Sequence, residues 1–146
     1  MKTLVSFRYS NEDIKSLEPV LSTVINSLEE KGIDAYCTFF HKDLNNSLLT
    51  PKDWMRHAFS IINNVDFLFV VQHSNNKSEG MLMEVGYSLA KHIPIVVAAR
   101  HGIVDSYLSE MTEHNMQWKS LDDLNKNLSD FNFNDLKKRT EKDNDV

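Results

Sequence analysis

Two stretches of this chain, Val65 to Val71 and Pro94 to Ala99, are almost wholly apolar, with one helical pattern between them. A strand that is apolar at every position must be covered on both faces, which is the situation of a central strand in a parallel sheet. The longest apolar run, Ile93 to Ala99, has seven residues and contains Pro94, far short of the roughly 20 needed to span a bilayer. These two runs therefore predict the middle of a parallel sheet with helices packed above and below it.

The flanking sequence supplies the remaining layers. Thr3 to Phe7 reads as a first buried strand and Ile33 to Phe40 as a second, rich in β-branched and aromatic residues. Between them Asn11-Glu12-Asp13 marks a helix start, and Ile14, Leu17, Val20, Leu21, Val24, Ile25 and Leu28 follow at spacings of three and four. Gly32 reads as its stop. Pro19 lies inside this pattern, so the helix either kinks there or starts later. Residues 41–49 lack periodicity and read as a loop.

Thr50-Pro51-Lys52-Asp53 opens a second helix with a capping hydroxyl, proline at the first helical position and an early acid. Trp54, Met55, Ala58, Ile61 and Ile62 form its expected buried face. A third helix runs from Ser78 to His92 on Met81, Val85 and Leu89. A short helix from about Asp105 to Thr112, a strand from Met116 to Trp118 and a helix opened by Ser120 complete the pattern. The alternation predicts a flavodoxin-like three-layer α/β sandwich whose five-stranded parallel sheet has the order 2-1-3-4-5. Residues 1–130 form this domain, and 131–146 read as a polar tail, most clearly from Lys137 onward.

Composition narrows the function classes. Sixteen Lys and Arg stand against 21 Asp and Glu, a net charge of −5 that argues against nucleic acid as a partner. Arg8 and Asn11-Glu12-Asp13 interrupt any signal-peptide core, and with no apolar run long enough to span a bilayer no membrane partner is expected. The one cysteine, Cys37, excludes an internal disulfide and a thiolate metal cluster, and suits a reducing cytoplasm. Six histidines show no HExxH-like spacing, so no metal and no cofactor is expected.

In a sheet of this order, ligands bind beyond the carboxyl ends of the strands, where the order reverses between the first and third. The segments that meet there are Ser6 to Asn11 and Gln72 to Ser78. The first offers Ser6, Arg8, Tyr9 and Ser10; the second runs from His73 to Ser78 into a helix N-terminus, which favours anions. Arg8 is either a forked donor for a phosphate across the crevice or a solvated surface arginine. Ser78 caps the helix. Gly80, in its first turn, is explained by close approach of a ligand or of a neighbouring backbone. Glu84 falls one turn further, at the edge of the apolar stripe. Partial burial there raises a carboxyl's pKa and suits a nucleophile or base; the alternative is a plain helix-surface glutamate. Asp66 opens the third strand, at the opposite end of the sheet, and reads as structural.

The segment Ser78-Glu79-Gly80-Met81-Leu82-Met83-Glu84-Val85-Gly86-Tyr87-Ser88-Leu89-Ala90, running into Lys91-His92-Ile93-Pro94-Ile95, resembles the nucleoside 2-deoxyribosyltransferase family. The resemblance covers roughly Met1 to Leu128 and is most specific from Gly80 to Tyr87. It implies a glutamate nucleophile at Glu84. Ser6-Phe7-Arg8 with Glu12-Asp13 resembles the first loop of the 2'-deoxynucleoside 5'-monophosphate N-hydrolases, which implies phosphate binding by Ser6, Arg8 and Ser78. It also implies a homodimer. This chain has Tyr9 and Ser10 where that branch has two glycines, Leu82 where it has glycine, and Ala58 where it has an active-site aspartate, with Asp53 the nearest upstream acid. A second resemblance, carried by Val5-Ser6-Phe7-Arg8, Glu12-Asp13 and Lys31-Gly32-Ile33-Asp34-Ala35-Tyr36, is to Toll/interleukin-receptor domains. It implies either NAD cleavage or non-catalytic signalling. The expectation is therefore N-glycosidic bond cleavage or transfer on a nucleoside or its 5'-monophosphate through Glu84, with NAD cleavage or non-catalytic nucleotide sensing as the alternative.

Overall fold

The structure, a computed structural model, describes residues 1–41, 50–104 and 107–136. Five strands, β1 (Lys2–Ser6), β2 (Asp34–Tyr36), β3 (Phe67–Gln72), β4 (Ile95–Arg100) and β5 (His114–Trp118), form one parallel sheet. Its order is β2-β1-β3-β4-β5, as the alternation of apolar runs and helical patterns predicts. Helices α1 (Ile14–Glu30) and α4 (Leu121–Asp130) pack together on one face, and α2 (Pro51–Ile62) and α3 (Glu79–Ala90) on the other. All six residues of β3 are buried. Phe67, Phe69 and Val71 point toward α1 and α4, and Leu68 and Val70 toward α2 and α3.

Local chemistry sets the helix ends. Asp13 caps α1 by accepting from the Lys15 amide. The helix runs unbroken through Pro19, which lies on its exposed side, where water can serve the carbonyl that proline leaves unpaired. At the other end the Gly32 amide bonds the Glu29 carbonyl and the Ile33 amide the Leu28 carbonyl, with Gly32 at φ +76°. This is the reciprocal bonding of a glycine-terminated helix. Helix α3 ends in the same way on Leu89 and Ser88, with His92 in the left-handed position. Thr50 caps α2 as expected, and Asp53 completes a capping box by accepting from the Thr50 amide.

Several elements differ from the sequence expectation. The second strand is Asp34–Tyr36 rather than Ile33 to Phe40. As an edge strand it pairs only with β1, and after three paired residues the chain turns into a 3₁₀ segment, Thr38–Phe40. There Phe39 packs edge-on against Phe7, with ring centres 5.8 Å apart, so aromatic packing outweighs strand propensity. Of the short helix expected near 105–112, the described part is a 3₁₀ turn, Ser109–Met111; Asp105 and Ser106 lie outside the described residues. Packing continues beyond residue 130, because Phe133 is buried in the core between the Phe131 and Phe67 rings. Residues 42–49 of the expected loop and 137–146 of the expected tail lie outside the described residues. Asp66 accepts a hydrogen bond from the Lys2 amide at 2.7 Å, the structural role expected of it.

Candidate active site

The parallel sheet sends the chain ends of β1 and β3 to the same edge, and two cavities open there. The larger, about 450 Å³, is lined by Ser6 and Glu84. Its walls come from Tyr9 and Ser10 after β1, from Thr38 and Phe39, and from one face of α2. That face presents Trp54, His57, Ala58 and Ile61, at the i, i+3, i+4, i+7 spacing of a single helical stripe, with Met55 beside them. The expectation that Trp54, Met55, Ala58, Ile61 and Ile62 form a buried face holds at Ile62 and is corrected at the other four. Among the residues of α2 only Ile62 is buried; Trp54, Met55, Ala58 and Ile61 are half-buried and line open space, Ala58 and Ile61 while also packing against the core.

Glu84 sits on α3 one step from buried Met81 and Val85 and is itself half-buried. Burial pushes its carboxyl up to about 7, with the nearby Ser6 hydroxyl pulling the other way. Ser6 is the last residue of β1 and 2% exposed, and its hydroxyl makes no hydrogen bond of ordinary geometry. It lies near enough to favour the charged carboxylate without being committed to it.

The second cavity, about 210 Å³, lies at the N-terminus of α3 and is lined by Arg8, Glu12, Gln72, His73, Lys77 and Ser78 among others. Arg8 donates to the Lys77 carbonyl, and its Nε lies 3.9 Å from the Glu12 carboxylate, whose side chain is 4% exposed. Glu12 also accepts from the Ser74 hydroxyl at 2.5 Å. Ser78 is the N-cap of α3, accepting from the Met81 amide at 3.2 Å. Three polar atoms around this cavity, Arg8 Nε, Gln72 Oε1 and His73 Nδ1, are buried without a hydrogen-bond partner. His73 is engaged through its other nitrogen, 2.9 Å from the Ser16 hydroxyl, and burial lowers its pKa.

The five site residues expected from the sequence thus divide. Ser6 and Glu84 line the larger cavity, Arg8 and Ser78 the smaller, and Gly80 lines neither but lies close to one wall residue of each. A Cβ built on Gly80 would lie 3.8 Å from Met55 Sδ of the larger cavity and 4.0 Å from Ser78 Oγ of the smaller, with no neighbouring backbone within 4 Å. Of the two explanations for this glycine, close approach of another backbone is therefore removed. Asp53 does not reach in from the turn before Ala58. Its carboxylate is held by the Thr50 amide and hydroxyl, at 3.1 and 2.8 Å, and those bonds hold its pKa below the usual range.

Sequence reasoning passed over Thr38, Phe39 and His57 as site residues. For His57 a signal existed, since it falls on the same helical stripe as Trp54, Ala58 and Ile61. Among the described residues no three His, Cys, Asp or Glu side chains converge as metal ligands would. No helix among them is long and apolar enough to cross a membrane. Cys37 is buried, and burial pushes its thiol up to about 12, so it is a packing residue rather than a nucleophile.

No family model matches the chain, and no curated protein matches its sequence. Solved structures do share its fold. The CMP N-glycosidase BcmB of Clostridium botulinum superposes with a TM-score of 0.65 at 15% identity, over 88% of this chain and 97% of that one. The 2-deoxyribosyltransferase of Bacillus psychrosaccharolyticus gives 0.65 at 16% identity, over 95% and 98%. The solution structure of BlsM gives 0.66 at 15% identity, over 88% and 86%. At such identities the likeness establishes a common architecture.

Proposed function

We propose that this protein cleaves or transfers the N-glycosidic bond of a nucleoside or nucleoside 5'-monophosphate, with Glu84 as nucleophile. One observation carries the reading: a half-buried carboxyl with its pKa raised to about 7, lining a roomy cavity walled by Trp54, Phe39 and other apolar side chains. Such a wall suits a planar base, and the carboxyl beside it suits attack on the adjoining sugar carbon. The shared fold with an N-glycosidase and a deoxyribosyltransferase supports the same chemistry.

In this mechanism a Glu84 oxygen forms a bond to C1′ as the C1′–N bond breaks, giving a glycosyl ester. Water or a second base then attacks C1′ and releases the carboxylate, the two-step logic of retaining glycosidases. Ser6 holds Glu84 toward its charged form. A substrate that passes over Gly80 would set its base in the larger cavity and its 5'-phosphate against Arg8, Ser78 and the N-terminus of α3.

A homodimer fits one further feature. Leu82, Met83, Gly86 and Ala90 form a continuous exposed stripe along α3, opposite its buried Met81, Val85 and Ser88. A helix apolar on both sides is one that expects cover on both. The deciding experiment incubates the protein with nucleosides, their 5'-monophosphates and NAD and follows free base by chromatography. Release from nucleosides or monophosphates supports the reading. Release of nicotinamide alone points to NAD cleavage, and no release at all sinks an enzymatic function on these substrates.

A further inference from the structure

We infer that His57 is the residue that meets the departing nucleobase and supplies its proton, with Tyr36 as the residue that positions it. The inference rests on the glycosidase reading and deepens it. A base leaving C1′ takes the electron pair of the C1′–N bond and needs a proton, and general acid catalysis of such a step contributes about 10²–10⁴-fold. Among the described residues lining the Glu84 cavity, the candidates to give that proton are few. Ala58 has no polar side chain, Asp53 is bonded into the α2 cap, and the hydroxyls of Ser6, Ser10 and Thr38 are too weakly acidic. Tyr9 is a phenol, a weaker acid than an imidazolium, and is 60% exposed. His57 remains, on the α2 stripe that faces the cavity.

Its ring is held in place. The Tyr36 hydroxyl lies 3.1 Å from His57 Nε2, and the two rings meet edge-on with centres 6.0 Å apart. Tyr36 is held in turn by stacking on His41, at 4.3 Å and 20°. Burial raises the Tyr36 pKa, so its hydroxyl stays protonated and serves as a partner in either charge state of the imidazole. It donates to the neutral ring and accepts from the charged one. The Tyr36 contact occupies Nε2, which leaves Nδ1 as the nitrogen for the base.

The step balances. Glu84 forms the C1′–O bond, the C1′–N bond breaks toward the base, and the His57 imidazolium gives the base nitrogen its proton. In the second step water adds hydroxide to C1′, the Glu84 carboxylate departs, and the remaining proton restores the imidazolium.

The test compares two leaving groups on one sugar: the best natural substrate, and the 4-nitrophenyl glycoside, whose 4-nitrophenolate departs without a proton. His57→Gln should slow the natural substrate by about 100-fold or more and the aryl glycoside by less than about threefold. Tyr36→Phe should show the same selectivity with a smaller loss, and it carries the test if His57→Gln folds poorly. Equal slowing on both substrates, or no slowing on either, overturns the assignment while leaving Glu84 chemistry standing. If the wild-type protein releases neither leaving group, the glycosidase reading fails and this role falls with it.

Discussion

The Ser6 hydroxyl at the end of β1 and the Glu84 carboxyl on α3 oppose each other's setting: burial drives Glu84 toward the neutral acid, and Ser6 draws it back toward the anion. The balance leaves the carboxyl near 7, so a small change of pH converts it. As a nucleophile it must be the anion, so release of 4-nitrophenolate, which needs no proton from His57, should rise as pH increases through about 7. A Ser6→Ala variant, which removes the opposing influence, should move that rise to higher pH. A pH–rate profile of kcat in both proteins checks this, and an unchanged midpoint would count against the pairing.

The same shift has a cost in stability with a definite sign. The unfolded carboxyl loses its proton near 4.5 and the folded one near 7, so between these values the folded state holds more protons and stability falls as pH rises. Allowing for the solvent that reaches half-buried Glu84, the loss is about 2 kcal/mol. Glu84→Gln should remove this dependence. It should match the wild type at pH 4, exceed it at pH 8, and lose at least about a thousandfold in base release. Denaturant titrations at both pH values measure the first two effects, and parallel curves for the two proteins would show that Glu84 is not their source.

Gly32 and Gly80 should respond to alanine in opposite ways. Gly32 holds φ +76°, so Gly32→Ala is expected to cost about 1 kcal/mol or more. Gly80 is helical and has ordinary room for a Cβ beside Met55 and Ser78, so Gly80→Ala should leave stability unchanged or raise it by up to about 1 kcal/mol. If substrate passes over Gly80, that variant should nonetheless bind it more weakly. Thermal melts with a binding titration separate the two effects; full affinity in Gly80→Ala would remove the ligand explanation for this glycine.

Arg8 and Glu12 make a paired prediction about the phosphate. Charge-assisted hydrogen bonds contribute about 1.5–3 kcal/mol, so Arg8→Ala should weaken monophosphate binding by about tenfold or more and leave nucleoside binding nearly unchanged. The nearly buried Glu12 carboxylate competes for the same guanidinium, so Glu12→Gln should tighten monophosphate binding. Equal wild-type affinity for nucleoside and monophosphate would remove the phosphate from this cavity.

The exposed stripe of α3 predicts self-association. Met83→Glu with Ala90→Glu places like charges across a symmetric contact without touching buried residues. The wild type should sediment as a dimer and the double variant as a monomer with the same circular dichroism. A monomeric wild type would leave the stripe without this role.

The sheet and most helix ends were legible in the sequence because their causes are local. The wholly apolar runs at β3 and β4 required cover on both faces, and Asp13, Thr50, Ser78 and Ser120 cap the helices where their side chains can reach the next amides. The place of Glu84 beside the crevice was legible for the same reason, as its distance along one helix from Gly80 and from the apolar stripe fixes its side. What only the tertiary structure decided is where apolar faces meet matter and where they meet space. Trp54, Met55, Ala58 and Ile61 have the periodicity of a core-facing helix, yet of these only Ala58 and Ile61 pack against the core, and all four wall a cavity. Periodicity reports direction around a helix axis, whereas the gap depends on where Phe39 and the β1 loop come to rest. The same holds for charge: Asp53 is taken by Thr50 and Arg8 is drawn to Glu12 and the Lys77 carbonyl because competing partners lie closer in space, and only the folded chain sets those distances.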